Sequence, residues 1–128
     1  MSADRLEALG MGAFLGIGRS SANPPRLIVM RYTGAPKTDE RLGIIGKGVT
    51  VDSGGYCLKS ASSMAGIKGD MAGAAAAGCA LIALAKNRVK ANVTVVIPAC
   101  ENRISSGSLL PGDVITAMDG TTIEVANT

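Results

Sequence analysis

The sequence predicts an α/β fold with a mixed sheet flanked by helices. Three observations carry that prediction. Short apolar runs rich in Val, Ile and Leu are separated by Gly/Pro turns, as strands are. One long Ala/Gly-rich segment, roughly 71–87, has the length and composition of a helix rather than a strand. The elements run α-β-β-α-β-β-β, an alternation that belongs to layered α/β architectures.

Taken in order, Ser2 is placed to cap a first helix through Leu9, with Gly10 as its stop. Met11–Gly18 is a short apolar second helical turn, and Ser20–Pro25 a loop. Arg26-Leu-Ile-Val-Met-Arg-Tyr32 is a strand, and Thr33–Glu40 a polar turn holding Gly34 and Pro36. Arg41–Val51 reads as one second strand, apolar on both faces at its centre, which suits a sheet covered on both sides. Ser53-Gly54-Gly55 breaks it, and a short helix is expected around Ser62–Ala65. Asp70 opens the long helix, apolar nearly all round, whose Ala/Gly surface can press close to a sheet. Val93–Ile97 is a third strand ended by Pro98. Glu101–Asp113 is a loop, and Val114–Met118 with Thr122–Val125 form a hairpin across Asp119-Gly120.

The composition is 47% hydrophobic but only 2% aromatic, so Ala, Val, Ile, Leu and Met must build the core. Met11, Met30 and Met71 read as core filler, and the Ala74–Ala77 run as packing. At 128 residues and net charge +3 this is at most one ordinary domain. Lys86, Arg88 and Lys90 close the long helix, where cations suit its dipole, so no nucleic-acid partner is expected. The start lacks the apolar core of a signal peptide. The stretch Ala72–Ala85 is shorter than the ~20 residues that span a bilayer, so no membrane partner is expected. Cys57, Cys79 and Cys100 are odd in number and lack metal-type spacing, and read as reduced thiols of a cytoplasmic protein.

The chain has no histidine. Metal or acid–base chemistry would therefore fall to carboxylates and amines. The candidates are Lys47, Asp52, Lys59 and Asp70, set in Gly-rich connections at the end of an apolar run. Three readings are open from the residues alone. They are loop charges, solvated or paired with one another. Or the run Gly43-Ile-Ile-Gly46-Lys47-Gly48 cradles a phosphate, although it lies within a strand and departs from the P-loop spacing. Or they form a metal site at a strand end, with oxygen ligands suited to Mg, Mn and borderline Zn. An amine joins such a site only when deprotonated, which at pH 7 costs about 4.6 kcal/mol from a reference pKa of ~10.4 and can be supplied by a dication. Asp113 reads as a turn residue after Pro-Gly, and Glu101 and Asn102 as structural hydrogen-bonding residues opening a loop. Cys57 reads as a passive thiol near the candidate site.

Motifs along nearly the whole chain resemble those of the leucyl aminopeptidase (cytosol aminopeptidase) family. Gly46-Lys-Gly-Val-Thr-Val-Asp-Ser-Gly-Gly55 resembles the family's Gly-Lys-Gly-apolar-Thr-Phe-Asp-Ser-Gly-Gly run. Leu58-Lys59 and Asp70-Met-Ala-Gly-Ala-Ala75 match its next two motifs. Pro98-Ala-Cys-Glu-Asn102, Pro111-Gly-Asp-Val114 and Gly120-Thr-Thr-Ile-Glu-Val125 follow in order, then Asn127-Thr128. Leu9-Gly-Met-Gly-Ala13 and Pro24-Pro-Arg-Leu27 fit upstream.

The resemblance implies part of the catalytic domain of a two-metal exopeptidase that removes N-terminal residues from peptides. It implies Lys47 as a metal ligand through its neutral amine, Asp52 as a ligand bridging both metals, and Asp70 as a ligand beside Lys47. Lys59 is the implied catalytic lysine facing the developing oxyanion. Implied cofactors are two divalent ions (Mn, Zn or Mg), with bicarbonate held by an arginine in the family. Implied partners are peptide substrates and copies of the chain, since the family is hexameric. Val51 stands where the family usually has Phe. Ile67 stands where many members carry a Met lining the substrate pocket, so it is the expected substrate-binding position. In the family an Asp-Ala-Glu-Gly-Arg stretch follows Asn-Thr and carries two further carboxylate ligands and the arginine. These 128 residues end before it, and the family's separate N-terminal domain is also absent. The expectation is therefore weak binding of a second metal and little or no peptidase activity for this chain alone. The alternative expectation is a non-catalytic assembly module that associates through an unpaired sheet edge near Val114–Val125.

Overall fold

The computed structural model describes residues 1–128. Helices α1 (Ala3–Ala8) and α2 (Gly12–Gly18) come first, followed by strands β1 (Arg26–Thr33), β2 (Leu42–Ile45) and β3 (Gly48–Asp52). Helix α3 (Ala61–Met64), a 3₁₀ turn (Ile67–Gly69) and α4 (Ala72–Lys86) precede β4 (Asn92–Asn102), and a hairpin of β5 (Val114–Thr116) and β6 (Thr122–Glu124) ends the chain. This is an α/β fold with a mixed sheet, as the sequence predicts. Ser2 stands at the N-cap of α1, but its hydroxyl makes no capping bond.

β4 is the spine of the sheet. β1 runs antiparallel along one side of it, from Arg26↔Ala99 to Thr33↔Asn92. β2 and β3 both run parallel along the other side, β2 against residues 93–96 and β3 against 99–102. The single strand expected over Arg41–Val51 is thus two strands with Gly46 and Lys47 between them. Pro98 explains the break. Gly46 N–H donates to the Val96 carbonyl at 3.0 Å. In a regular parallel ladder the next bond would run from the N–H of residue 98 back to the carbonyl of residue 46, and proline has no N–H. Pro98 therefore interrupts the neighbouring strand rather than ending its own. β4 continues to Asn102, so Glu101 and Asn102 close a strand instead of opening a loop.

α4 covers one sheet face. Ala74, Ala77 and Leu81, spaced for one helical stripe, pack on Val93, Val95 and Ile97, with Met30, Tyr32 and Ile44 at the margin. Ala75 and Ala76 on the other side of the helix are exposed, so only half of the Ala run is packing. Of the three core-filling methionines expected, Met30 alone borders this cluster, and Met11 lines a groove beside α2. With its 3₁₀ turn, Ile67–Lys86 is a 20-residue helical segment, long and apolar enough by length and composition to cross a membrane. That corrects the shorter span read from the sequence. What identifies it as a sheet-packed helix is the Ala74–Ala77–Leu81 stripe against β4.

The expectation of a sheet covered on both sides fails in part. Val29, Val96 and Ile45 form one row across three strands on the face opposite α4. Val29 is 40% exposed and Ile45 79%. The hairpin does not extend the main sheet: β5 and β6 form a separate two-stranded sheet. The unpaired edges of the main sheet are instead those of β1, β2 and β3. All three cysteines are free thiols, with Cys100 buried.

Candidate metal centre

The break beside β4 frees Lys47 from the ladder. Its carbonyl accepts the N–H of Ala74 in the first turn of α4 at 2.9 Å. Its side chain reaches Asp70, two residues before that helix, with Nζ 2.7 Å from Oδ2. Asp70 follows the 3₁₀ turn that packs against β3. The Asp70 side chain is 28% exposed as a whole, yet Oδ2 itself is buried and makes no aligned hydrogen bond. The Lys47 contact is thus an ion pair of poor hydrogen-bond geometry.

Asp52 ends β3, and the chain turns at Gly54 and Gly55, whose φ angles are +88° and +65°. Side chains other than Gly rarely adopt such values. The turn is tied at several points. Ser53 donates its N–H and its hydroxyl to the Asn102 carbonyl, at 3.0 and 2.8 Å. The Thr128 hydroxyl donates to the Gly54 carbonyl at 2.6 Å and accepts the Cys57 N–H at 2.8 Å. The Lys59 N–H donates to the Ser53 carbonyl at 3.0 Å. This brings Lys59 Nζ to 2.5 Å from Asp52 Oδ2.

Two lysines and two aspartates therefore stand as adjacent ion pairs, Lys47–Asp70 and Lys59–Asp52. Burial alone would push the Asp52 carboxyl up. Hydrogen bonds from Lys59, the Asn102 amide and the Gly54 N–H outweigh it and hold Asp52 at about 2. Contact with Asp70 holds the Lys47 ammonium above its ordinary value; burial opposes this, and the charges of Asp70 and Asp52 add to it. Asp52 thus acts on Lys47 although its own ion pair is with Lys59. The structure brings together all four charged residues singled out in the sequence. Ile67 is half-buried at the start of the 3₁₀ turn, three residues before Asp70.

The donor set fits a divalent cation. Asp52 stays ionised, Asp70 presents a buried oxygen lacking a hydrogen bond, and the Lys47 amine lies beside that oxygen. No three His, Cys, Asp or Glu side chains gather anywhere in the chain, so such a site depends on the amine. A cation replacing the proton on Lys47 would keep the local charge from turning negative. The loop-charge reading survives as a description of the pairing, with the Asp70 oxygen buried against the Lys47 ammonium.

Sequence reasoning gave Asn102 only a general structural hydrogen-bonding role and gave Thr128 none. Asn102 Nδ2 donates to Asp52 Oδ1 at 2.9 Å. Asn and Thr at loop-like positions carry no signal separating this role from ordinary turn chemistry. Glu101 does act structurally: it accepts from Ser21 and Arg103, each at 2.6 Å. Asp113 is a turn residue, its carboxylate accepting the Leu110 N–H. A groove of about 1050 Å³ lies between α1, α2 and the hairpin, and none of the four charged residues lines it.

Comparison with known proteins places this geometry in context. The model of the cytosol aminopeptidase family, catalytic domain, matches residues 1–128. A probable cytosol aminopeptidase of Clostridium perfringens is 50% identical over 126 residues, which is 98% of this chain and 26% of that protein. One from Bacillus subtilis is 43% identical over 123 residues, covering 96% and 25%. Among solved structures, the bottromycin maturation enzyme BotP in complex with Mn superposes with a TM-score of 0.87 at 41% identity, covering 95% of this chain and 26% of that one. The chain thus spans about a quarter of the length of the relatives it matches.

Proposed function

The chain belongs to the cytosol aminopeptidase family, and from that premise we propose that it carries part of the metal centre of a two-metal aminopeptidase of leucyl type. The observation that carries the reading is the convergence of Lys47, Asp70, Asp52 and Lys59 at the broken strand beside β4. The relative in complex with Mn supports a divalent ion in such a site; Zn accepts nitrogen and oxygen donors alike, while Mg suits the carboxylates.

Lys47, Asp52 and Asp70 would hold the metal ions, Asp52 between the two. Bound there, divalent ions supply Lewis acidity and a strongly nucleophilic water at neutral pH. Lys47 would bind through its neutral amine. Lys59, displaced from Asp52 by the cation, would face the oxygen that becomes negative as a peptide carbonyl is attacked. A cation so placed stabilises that charge, most strongly where water is excluded. Ile67 is proposed to line the pocket for the substrate's N-terminal side chain. Substrates are peptides, and the protein acts in the cytoplasm, away from nucleic acid and membrane.

Lys47, Asp52 and Asp70 are three of the five protein ligands that the resemblance implies. A set limited to these three would bind a second ion weakly and hydrolyse peptides slowly or not at all. Calorimetric titration with Mn²⁺ tests this: one weak site is expected, lost in Asp52→Asn. Two tight sites would contradict the ligand count. A longer chain that includes the family's next motif should release leucine from a leucine anilide and lose that activity in Lys59→Ala; an inert longer chain would overturn the assigned roles. The exposed ends of the Val29–Val96–Ile45 row, Val29 and Ile45, favour association as well, and a homo-oligomer is the proposed assembly. Concentration-dependent size indifferent to Mn²⁺ would favour a purely structural module.

A further inference from the structure

We infer that Asn102 is a positioning residue for this metal centre: its buried side-chain amide turns Asp52 so that Oδ2 alone is offered to a cation. The inference deepens the reading above and rests on it. Asn102 closes β4 and is 9% exposed. Its Nδ2 donates to Asp52 Oδ1 at 2.9 Å, and the Gly54 N–H donates to the same oxygen at 3.2 Å. A carboxylate oxygen has two lone pairs, so Oδ1 is filled by two fixed donors of the protein. Oδ2 meets only Lys59 Nζ, the tip of a flexible side chain that a dication can displace.

The hold is rigid because Asn102 acts at two points. It pairs with Asp52 in the sheet register, and its carbonyl takes both donors of Ser53, the next residue. The carboxylate therefore has neither a free rotamer nor a free backbone. Partners of this kind, one bond removed from a metal, typically change metal affinity 10–100-fold when removed.

Asn102→Asp separates positioning from mere filling of space. It keeps the shape, removes the donor and adds a negative charge beside the cation. Shape and charge alone would tighten Mn²⁺ binding; a lost donor loosens it. The experiment uses the 128-residue chain as wild type, Asn102→Ala, Asn102→Asp and Asp52→Asn. Mn²⁺ dissociation constants are read by electron paramagnetic resonance, and the shift and exchange rate of the Gly54 amide by NMR without metal.

Both Asn102 variants should bind Mn²⁺ about tenfold more weakly or worse, with the Gly54 amide shifted and exchanging faster. Asn102→Asp guards against an Asn102→Ala that fails to fold. Wild-type or tighter Mn²⁺ binding in a folded Asn102 variant would overturn the inference, as would an unchanged Gly54 amide. If the wild-type chain binds no Mn²⁺, the metal-centre reading fails on its own. The Gly54 amide then decides only whether Asn102 holds the Asp52 carboxylate: unchanged refutes that hold, shifted upholds it.

Discussion

Replacing Gly46 with alanine tests how closely α4 must approach the broken strand. An added Cβ would lie 2.7 Å from the Gly73 carbonyl oxygen, 2.8 Å from Ala74 Cα and 2.9 Å from Ala77 Cβ. These atoms are backbone or a bare methyl, so no side chain can swing aside. Gly46 is not among the glycines with positive φ, so the cost is contact and not backbone strain. Reaching an ordinary 3.4 Å requires α4 to retreat by about 0.7 Å, which lengthens the Ala74 N–H···O=C Lys47 bond from 2.9 Å. Overpacking costs about 1–3 kcal/mol and the weakened hydrogen bond about 1 kcal/mol, for a total near 3 kcal/mol. Only 21 of 128 residues are buried, so little else can absorb the loss. An unfolding entropy of about 2.1 cal/mol/K per residue converts 3 kcal/mol to a melting temperature about 10 °C lower for a chain this size. The control is Gly43→Ala in β2, where an added Cβ meets nothing within 4 Å. It should melt within about 2 °C of wild type, or slightly higher through reduced unfolded-state freedom. Equal melting of the two variants in scanning calorimetry would refute the close-approach argument.

Two further outcomes follow from the same geometry. Asp52 is held at about 2 against an ordinary 3.8, so its hydrogen bonds contribute on the order of 2 kcal/mol above pH ~4 and lose it as pH falls toward ~2. Urea midpoints at pH 6 and pH 2.5 should therefore differ more in wild type than in Asp52→Asn; equal differences would show that the carboxylate is not held this way. Thr128→Val keeps the shape but removes the bonds to Gly54 and Cys57. It should cost about 1–2 kcal/mol and speed hydrogen exchange at the Cys57 amide, and unchanged exchange there would show that the hydroxyl does not hold the turn.

How much of this was legible in the sequence differs by element. The helix near 71–87, the strand from Arg26 and the turn at Asp119-Gly120 carry local signals, periodic or conformational, and the structure has them nearly where expected. The two misjudged strand ends are one event. Proline in a central strand normally ends it, and nothing local to Pro98 reveals that the neighbouring strand yields instead. The candidate site was legible as charges set among glycines. Its pairing was not, because Lys47–Asp70 and Lys59–Asp52 are fixed by how α4 and the Ser53–Cys57 turn are tied to β4. Asn102 was read as structural, which is accurate for its carbonyl and incomplete for its amide.

The same long-range tie aims the Lys47 side chain. A long side chain reaches one point only when its backbone is held firmly. Pro98 withholds the ladder bond that residue 46 would accept, so the strand parts at Gly46 and Lys47. The freed Lys47 carbonyl does not go to water; it binds the first turn of α4. Gly73 permits that, since a Cβ there would lie 3.3 Å from the Lys47 nitrogen. Asp70, just upstream in the same turn, is thereby set against the Lys47 side chain. One missing N–H in β4 thus fixes, through two glycines and a helix start, both an amine and the carboxylate oxygen beside it.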